Sequence, residues 1–223
     1  HKPAGSPELR YGGVKPTGPL PSSIDFPLHK SNEPEKFKAL FFGDTQSRDL
    51  RELKYLTDDL ITKLDPEGAL FGVTLGDILF DDLSFFDEHN QAIALIGIPW
   101  YNVLGNHDIN YDAKHDHHSD ETFERFYGPN YYSFDYGRAH FVVLDDVIWN
   151  HGDTQPDKRG RYTAGLGERQ MAWLKRDLER TPDDKLVVLM MHIPLDTVAE
   201  KKEMLELLSK RPYSLSVSAH THF

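Results

Sequence analysis

The chain contains no cysteine, which excludes disulfides, thiolate nucleophiles and thiolate metal ligands. It has no apolar run near the ~18 residues of a membrane-spanning helix. Basic residues are scarce: 25 Lys and Arg stand against 36 Asp and Glu, a net charge of −11. Such a field repels nucleic acid and anionic membranes unless a local cation cluster or a bound metal reverses it, so neither is an expected partner. No internal repeat of solenoid period is present, and Gly165-Leu166-Gly167 has too few glycines for a dinucleotide loop.

What remains is a chain of 223 residues, 39% hydrophobic and 27% charged, enough for one large domain with a sizeable core. It starts at His1 without a methionine and stops at Phe223, directly after His220-Thr221-His222, and reads as a piece of a longer protein. Residues 1–36 carry Pro3, Pro7, Pro16, Pro19, Pro21, Pro27 and Pro34 and read as an extended arm or linker from an upstream module. Residues 37–223 hold the domain itself.

Within that domain, apolar runs alternate with helical patterns. Strands are expected at 37–42, 69–75, about 100–104, 131–136, 139–144, 185–191 and 213–218. Helices are expected at 47–64, 83–96, 167–180 and 197–209, the first with Leu50, Leu53, Leu60, Ile61 and Leu64 at helical spacing. Gly137-Arg138 turns a hairpin, and 150–161 reads as a polar loop with Arg159 and Arg161 at its exit, facing either a substrate or solvent. His115-Asp116-His117-His118 is a histidine cluster in a polar loop, a metal tract or a solvated insertion. Asp145-Asp146 either supports a site or merely ends a strand. The alternation argues an α/β fold with largely parallel sheets.

Five of these strands end in groups able to hold metal. Asp44 and Gln46 follow the first, Asp77 the second, and Asn106 and His107 the third; His192 follows the sixth, and His220 and His222 the last. One such residue at a strand end is ordinarily structural. Five ends in step are not, because parallel topology brings them to one edge, where open α/β sheets keep their ligands. Mixed oxygen and imidazole donors suit Mn, Fe or Zn. Even seven of these donors exceed one tetrahedral ion, so two ions sharing a carboxylate is the economical count.

In order and spacing, Asp44-Thr45-Gln46, Gly76-Asp77, Gly105-Asn106-His107-Asp108, His192 and Ala219-His220-Thr221-His222 resemble the calcineurin-like metallophosphoesterase superfamily, from about Phe37 to the end. The resemblance implies a two-sheet β-sandwich flanked by helices and two divalent or trivalent first-row ions (Mn, Fe or Zn). It implies one ion on Asp44, Gln46, Asp77 and His222 and the other on Asp77, Asn106, His192 and His220, with Asp77 shared. It implies hydrolysis of a small phosphorylated substrate (monoester, diester or nucleotide pyrophosphate) by a metal-bridging hydroxide in line with the leaving group. His107 would donate a proton or hydrogen bond to the phosphoryl or leaving-group oxygen, and Asp108 would orient His107 or raise its pKa.

Two residues depart from the pattern. Gln46 stands where the family usually has histidine; its neutral amide oxygen should weaken that ion and favour Mn or Mg. Ala219 replaces a glycine and requires only an ordinary negative φ. The competing class is a non-catalytic metal- or ligand-binding relative that keeps the fold, whose mark would be loss of His107 or Asp77; both are present. The arm and the resemblance favour an extracytoplasmic location with a signal upstream of His1. The sequence sets no oligomeric state.

Overall fold

The computed structural model describes residues 19, 21–25, 33–154 and 160–222. Most of the arm at 1–36, and Arg159, therefore lie outside the described residues. The first sheet is fully parallel, ordered β1 (Lys38–Phe42), β2 (Ala69–Leu75), β3 (Trp100–Val103). The second holds β4 (Tyr132–Tyr136), β5 (Ala139–Val143), β8 (Leu186–Met190) and β9 (Ser214–Val217). Only β4 runs antiparallel there, as the first arm of the expected hairpin.

The two sheets pack face to face. Phe71, Val73, Leu75 and Val103 from one meet Phe141, Val143, Val188 and Met190 from the other in a single core. Period-two alternation sends the intervening Val142, Leu144, Val187, Leu189 and Met191 to the opposite face. There they bury Met171, Leu174 and Leu178 of α4 (Gly167–Arg180) and Met204 and Leu208 of α5 (Lys201–Leu208). Both faces of these strands are covered, so they read as unbroken apolar runs. The outer face of the first sheet is covered by α1 (Leu50–Tyr55) and α2 (Phe86–Ala94). The result is the expected α/β sandwich flanked by helices. Among the described residues, no helix is long and apolar enough to cross a membrane.

One expectation changes and one hairpin is added. The helix over 47–64 starts when Asp49 caps Arg51 N and Glu52 N, at 2.9 and 2.8 Å. It then passes through a π turn at Leu56–Leu60 and a 3₁₀ turn at Ile61–Lys63. The π turn shifts the register, so Leu60 is exposed while Ile61 is buried. The loop expected at 150–161 joins two strands that were not expected, since Val147–Asn150 (β6) and Arg161–Ala164 (β7) pair as a second hairpin with Trp149 opposite Tyr162.

Candidate metal centre

All five expected strand ends converge, and they are sewn together by backbone. Gln46 N donates to Asp77 O at 3.0 Å, and Ala219 N to His192 O at 2.9 Å. His220 N donates to Asp44 Oδ2 at 2.9 Å. At the centre stands the fully buried His192. Its Nδ1–H donates to Leu75 O at 2.9 Å, which fixes the tautomer and aims Nε2 inward. Around that Nε2 lie Asp77 Oδ2 at 3.2 Å, Asn106 Oδ1 at 3.2 Å and His220 Nδ1 at 3.1 Å.

Two imidazole nitrogens facing each other at 3.1 Å repel unless a proton or a cation lies between them. Burial alone would lower the pKa of His192, but the hydrogen bond and charge of Asp77 outweigh it and raise it to about 9. His220 is held below the usual imidazole value by burial and by His192. Asp77, His192 and His220 bring one donor atom each within 4.8 Å of one another. Such a buried set of carboxylate and imidazole donors fits a first-row cation.

A second group adjoins the first. Asp44 Oδ1 lies 3.3 Å from His222 Nε2. The Gln46 amide nitrogen donates to Asp77 Oδ2 at 2.8 Å, so its oxygen must turn inward to act as a donor to an ion.

The backbone is bent to build this edge. Asp44, Gln46, Asp77, His220 and His222 all have positive φ, from 39° to 68°. Such conformations cost about 1–3 kcal/mol each and cluster at functional sites. Ala219 keeps an ordinary negative φ, as its side chain requires. Glycine makes room at two points. A Cβ on Gly76 would stand 2.6 Å from His192 Nδ1, and one on Gly105 would stand 2.0 Å from Asp77 N.

A model of the calcineurin-like phosphoesterase family matches residues 37–223. The chain belongs to that family. It is 24% identical to a probable glycerophosphodiester phosphodiesterase from Arcobacter nitrofigilis over 117 residues, covering 52% of this chain and 39% of that one. It is 28% identical to mouse (Mus musculus) tartrate-resistant acid phosphatase type 5 over 212 residues, covering 90% of this chain and 60% of that one. The chain thus spans between about two-fifths and three-fifths of these relatives' lengths. Among solved structures, a dimetal phosphatase from Danio rerio superposes with a TM-score of 0.58 at 16% identity, covering 83% of this chain and 82% of that one. A phosphopantetheinyl hydrolase from Mycobacterium tuberculosis gives 0.50 at 14% identity, covering 83% of each. At those identities the two structures establish the fold.

Around this family core, the expected roles divide differently from the sequence reading. His107 sits at the rim, its backbone N–H on Asp77 Oδ1 at 2.9 Å. Asp108 does not orient it. That carboxylate is fully buried and accepts from Gly105 N, Ile78 N and Leu79 N at 2.9–3.2 Å, stapling the second strand's exit to the third's. Burial, then the Asp77 charge, pushes Asp108 up to about 7. The partner of His107 is Asp81, whose Oδ1 lies 2.6 Å from Nδ1, and the ring stacks on Phe80 at 4.3 Å. Neither contact was read from the sequence; the available signal was an aspartate four residues beyond Asp77. Asp146 proves supportive: its buried Oδ2 accepts from Ile193 N at 2.9 Å, fixing the turn that carries His192. Tyr162, from the unforeseen hairpin, sets its ring edge-to-face with His220 at 6.0 Å. Arg161 lies on the exposed start of β7 opposite Asn150.

Proposed function

We propose that this chain is a dinuclear metal-dependent phosphohydrolase acting on a small phosphate ester. The observation that carries the reading is the ring of donors around His192 Nε2, with Asp77, Asn106 and His220 all within 3.2 Å and contributed by separate strand ends. Those four residues would hold one ion, and Asp44, Gln46, Asp77 and His222 the other. When bound, the ions supply Lewis acidity to a phosphoryl oxygen and lower the pKa of an attacking water.

The chain's own residues do the rest. Asp77 would contribute to both ions through a carboxylate already oriented by His107 N–H. In its doubly protonated form, His107 would donate the Nε2 proton to the leaving oxygen, while Asp81 accepts from Nδ1–H and orients the ring. Phe80 stacks on the ring and limits its rotation.

Substrates are proposed from both named activities, a phosphodiester as in the Arcobacter relative and a phosphomonoester as in the mouse phosphatase, with nucleotide pyrophosphates as a third arm. Purified protein, stripped with a chelator and reloaded with Mn, Fe or Zn, is assayed against all three. Metal-restored hydrolysis of at least one class supports the reading. Full metal loading with no hydrolysis of any class would favour a binding protein instead.

A further inference from the structure

The histidine cluster lies outside this centre and plays no part in the chemistry above. We propose that His115, His117 and His118 form a separate transition-metal site, taking Zn, Ni or Cu(II) through three neutral imidazoles.

Backbone geometry groups the rings. Asp116–His118 is a 3₁₀ turn with His115 at its N-cap, closed by His118 N donating to His115 O at 3.0 Å. Residues three apart eclipse in such a turn, which puts His115 and His118 on one side with His117 beside them. Ring centroids lie 4.0 Å apart for His117 and His118, 5.5 Å for His115 and His117, and 6.4 Å for His115 and His118. Three imidazoles on one tetrahedral ion at ~2.0–2.1 Å would set their ring centres ~5 Å apart, and the observed spacings bracket that value.

His118 already has the support that metal-binding histidines show. Its Nδ1 lies 2.7 Å from Oε1 of the buried Glu121, which opens α3 (Glu121–Tyr127). That contact fixes the tautomer and leaves Nε2 as the donor. The floor of the turn is anchored: Asp116 Oδ1 accepts from Trp149 N at 2.5 Å, and Asn110 N donates to Ser119 O at 2.6 Å.

Among the described residues, only Asp77, His192 and His220 already hold three donor atoms within 4.8 Å. The trio therefore closes by rotation of His115 and His117, which are exposed; exposed side chains change rotamer in picoseconds to nanoseconds. Three imidazoles leave a fourth position to water, and imidazole donors suit Zn, Ni and Cu.

The test titrates the full chain with Zn, comparing wild type with a His115→Ala/His117→Ala double variant. The wild type should bind one more equivalent than the double variant, while phosphoesterase activity is equal in both. Cu(II) added to the wild type should give an electron paramagnetic resonance signal with hyperfine coupling to several nitrogens that the double variant lacks. Glu121→Gln, checked for native circular dichroism, should weaken that Zn equivalent about 10–100-fold. Equal Zn stoichiometry and affinity in wild type and double variant would overturn the proposal. So would a Glu121→Gln protein that is folded and binds that equivalent as tightly as wild type, since adventitious surface chelation ignores the buried carboxylate.

Discussion

Gly105 lies so close to Asp77 that a Cβ would stand 2.3 Å from Asp77 Oδ1 and 2.0 Å from its backbone nitrogen. Backbone atoms cannot swing away as a flexible side chain can. Gly105→Ala must therefore displace the carboxylate proposed to serve both ions. A shift of about 1 Å at such a site costs on the order of 10²-fold in rate. Turnover should fall by at least that much, together with metal content measured by elemental analysis. A Gly105→Ala protein with full metal and full turnover would remove Asp77 from the centre.

The Asp81–His107 contact gives a coupled prediction. His107→Ala should keep its metal and lose roughly 10²–10⁴-fold in turnover, the range for a positioned acid. Asp81→Asn should lose less, because the imidazole remains but its orientation is no longer held by a carboxylate. Both losses should shrink for an activated nitrophenolate leaving group, which needs less protonation. If the two residues act as one unit, the double variant should be no worse than His107→Ala alone. Additive losses would show that Asp81 acts elsewhere.

Among the described residues, His89 of α2 is buried with no hydrogen-bond partner for either ring nitrogen. Unmet buried polar groups cost about 1–3 kcal/mol, so His89→Leu should stabilise the fold. Burial lowers its pKa to about 4, from an ordinary 6.5. The unfolded chain therefore binds a proton below pH 6.5 that the folded chain refuses until about pH 4. Native stability is lost as pH falls through that window, and the gain from His89→Leu should be larger at pH 5 than at pH 8. Urea midpoints at the two pH values check this. An equal or smaller gain at pH 5 would mean that the buried imidazole is not the cause.

Much of this was legible from the amino acids because of burial on two faces. The second strand and the long helix α4 were expected at 69–75 and 167–180, and both formed there. The strand is an unbroken apolar run and the helix a long 3.6-residue pattern, each set by the core it packs against. The five strand ends were legible for a related reason, since parallel topology delivers every strand's exit to one edge. Other features depended on contacts between remote parts of the chain. Asp81 and His107 are 26 residues apart, and nothing local marks them as partners. Asp108 sits beside His107 in sequence, yet its carboxylate is drawn away by three backbone N–H groups. The β6–β7 hairpin has arms of only four residues each, too short to show a period. Leu60 falls at regular helical spacing with Leu53 and Leu64, and the π turn rotates it out to solvent.

Gln46 predicts an unequal pair of ions. Its amide nitrogen, not its oxygen, faces Asp77 at 2.8 Å, and the neighbouring His222 is exposed. Asp77, His192 and His220 are already gathered. The Asp44–Gln46–His222 position should therefore fill second and more weakly, with a leaning to Mn or Mg that Gln46→His shifts towards Zn. Titration of wild type and variant with Mn and Zn, following stoichiometry and activity together, checks this. Two equally tight positions, unchanged by Gln46→His, would exclude Gln46 as a ligand.

The sharing of Asp77 is the claim on which the rest stands, and metal counting tests it most directly. Wild type and Asp77→Asn are stripped, reloaded with excess Mn, freed of loose ions and measured for Mn per chain and phosphoesterase turnover. Wild type should hold two Mn, and Asp77→Asn no more than one, with turnover near the uncatalysed level. An Asp77→Asn protein that keeps two Mn and near-full turnover would contradict the account.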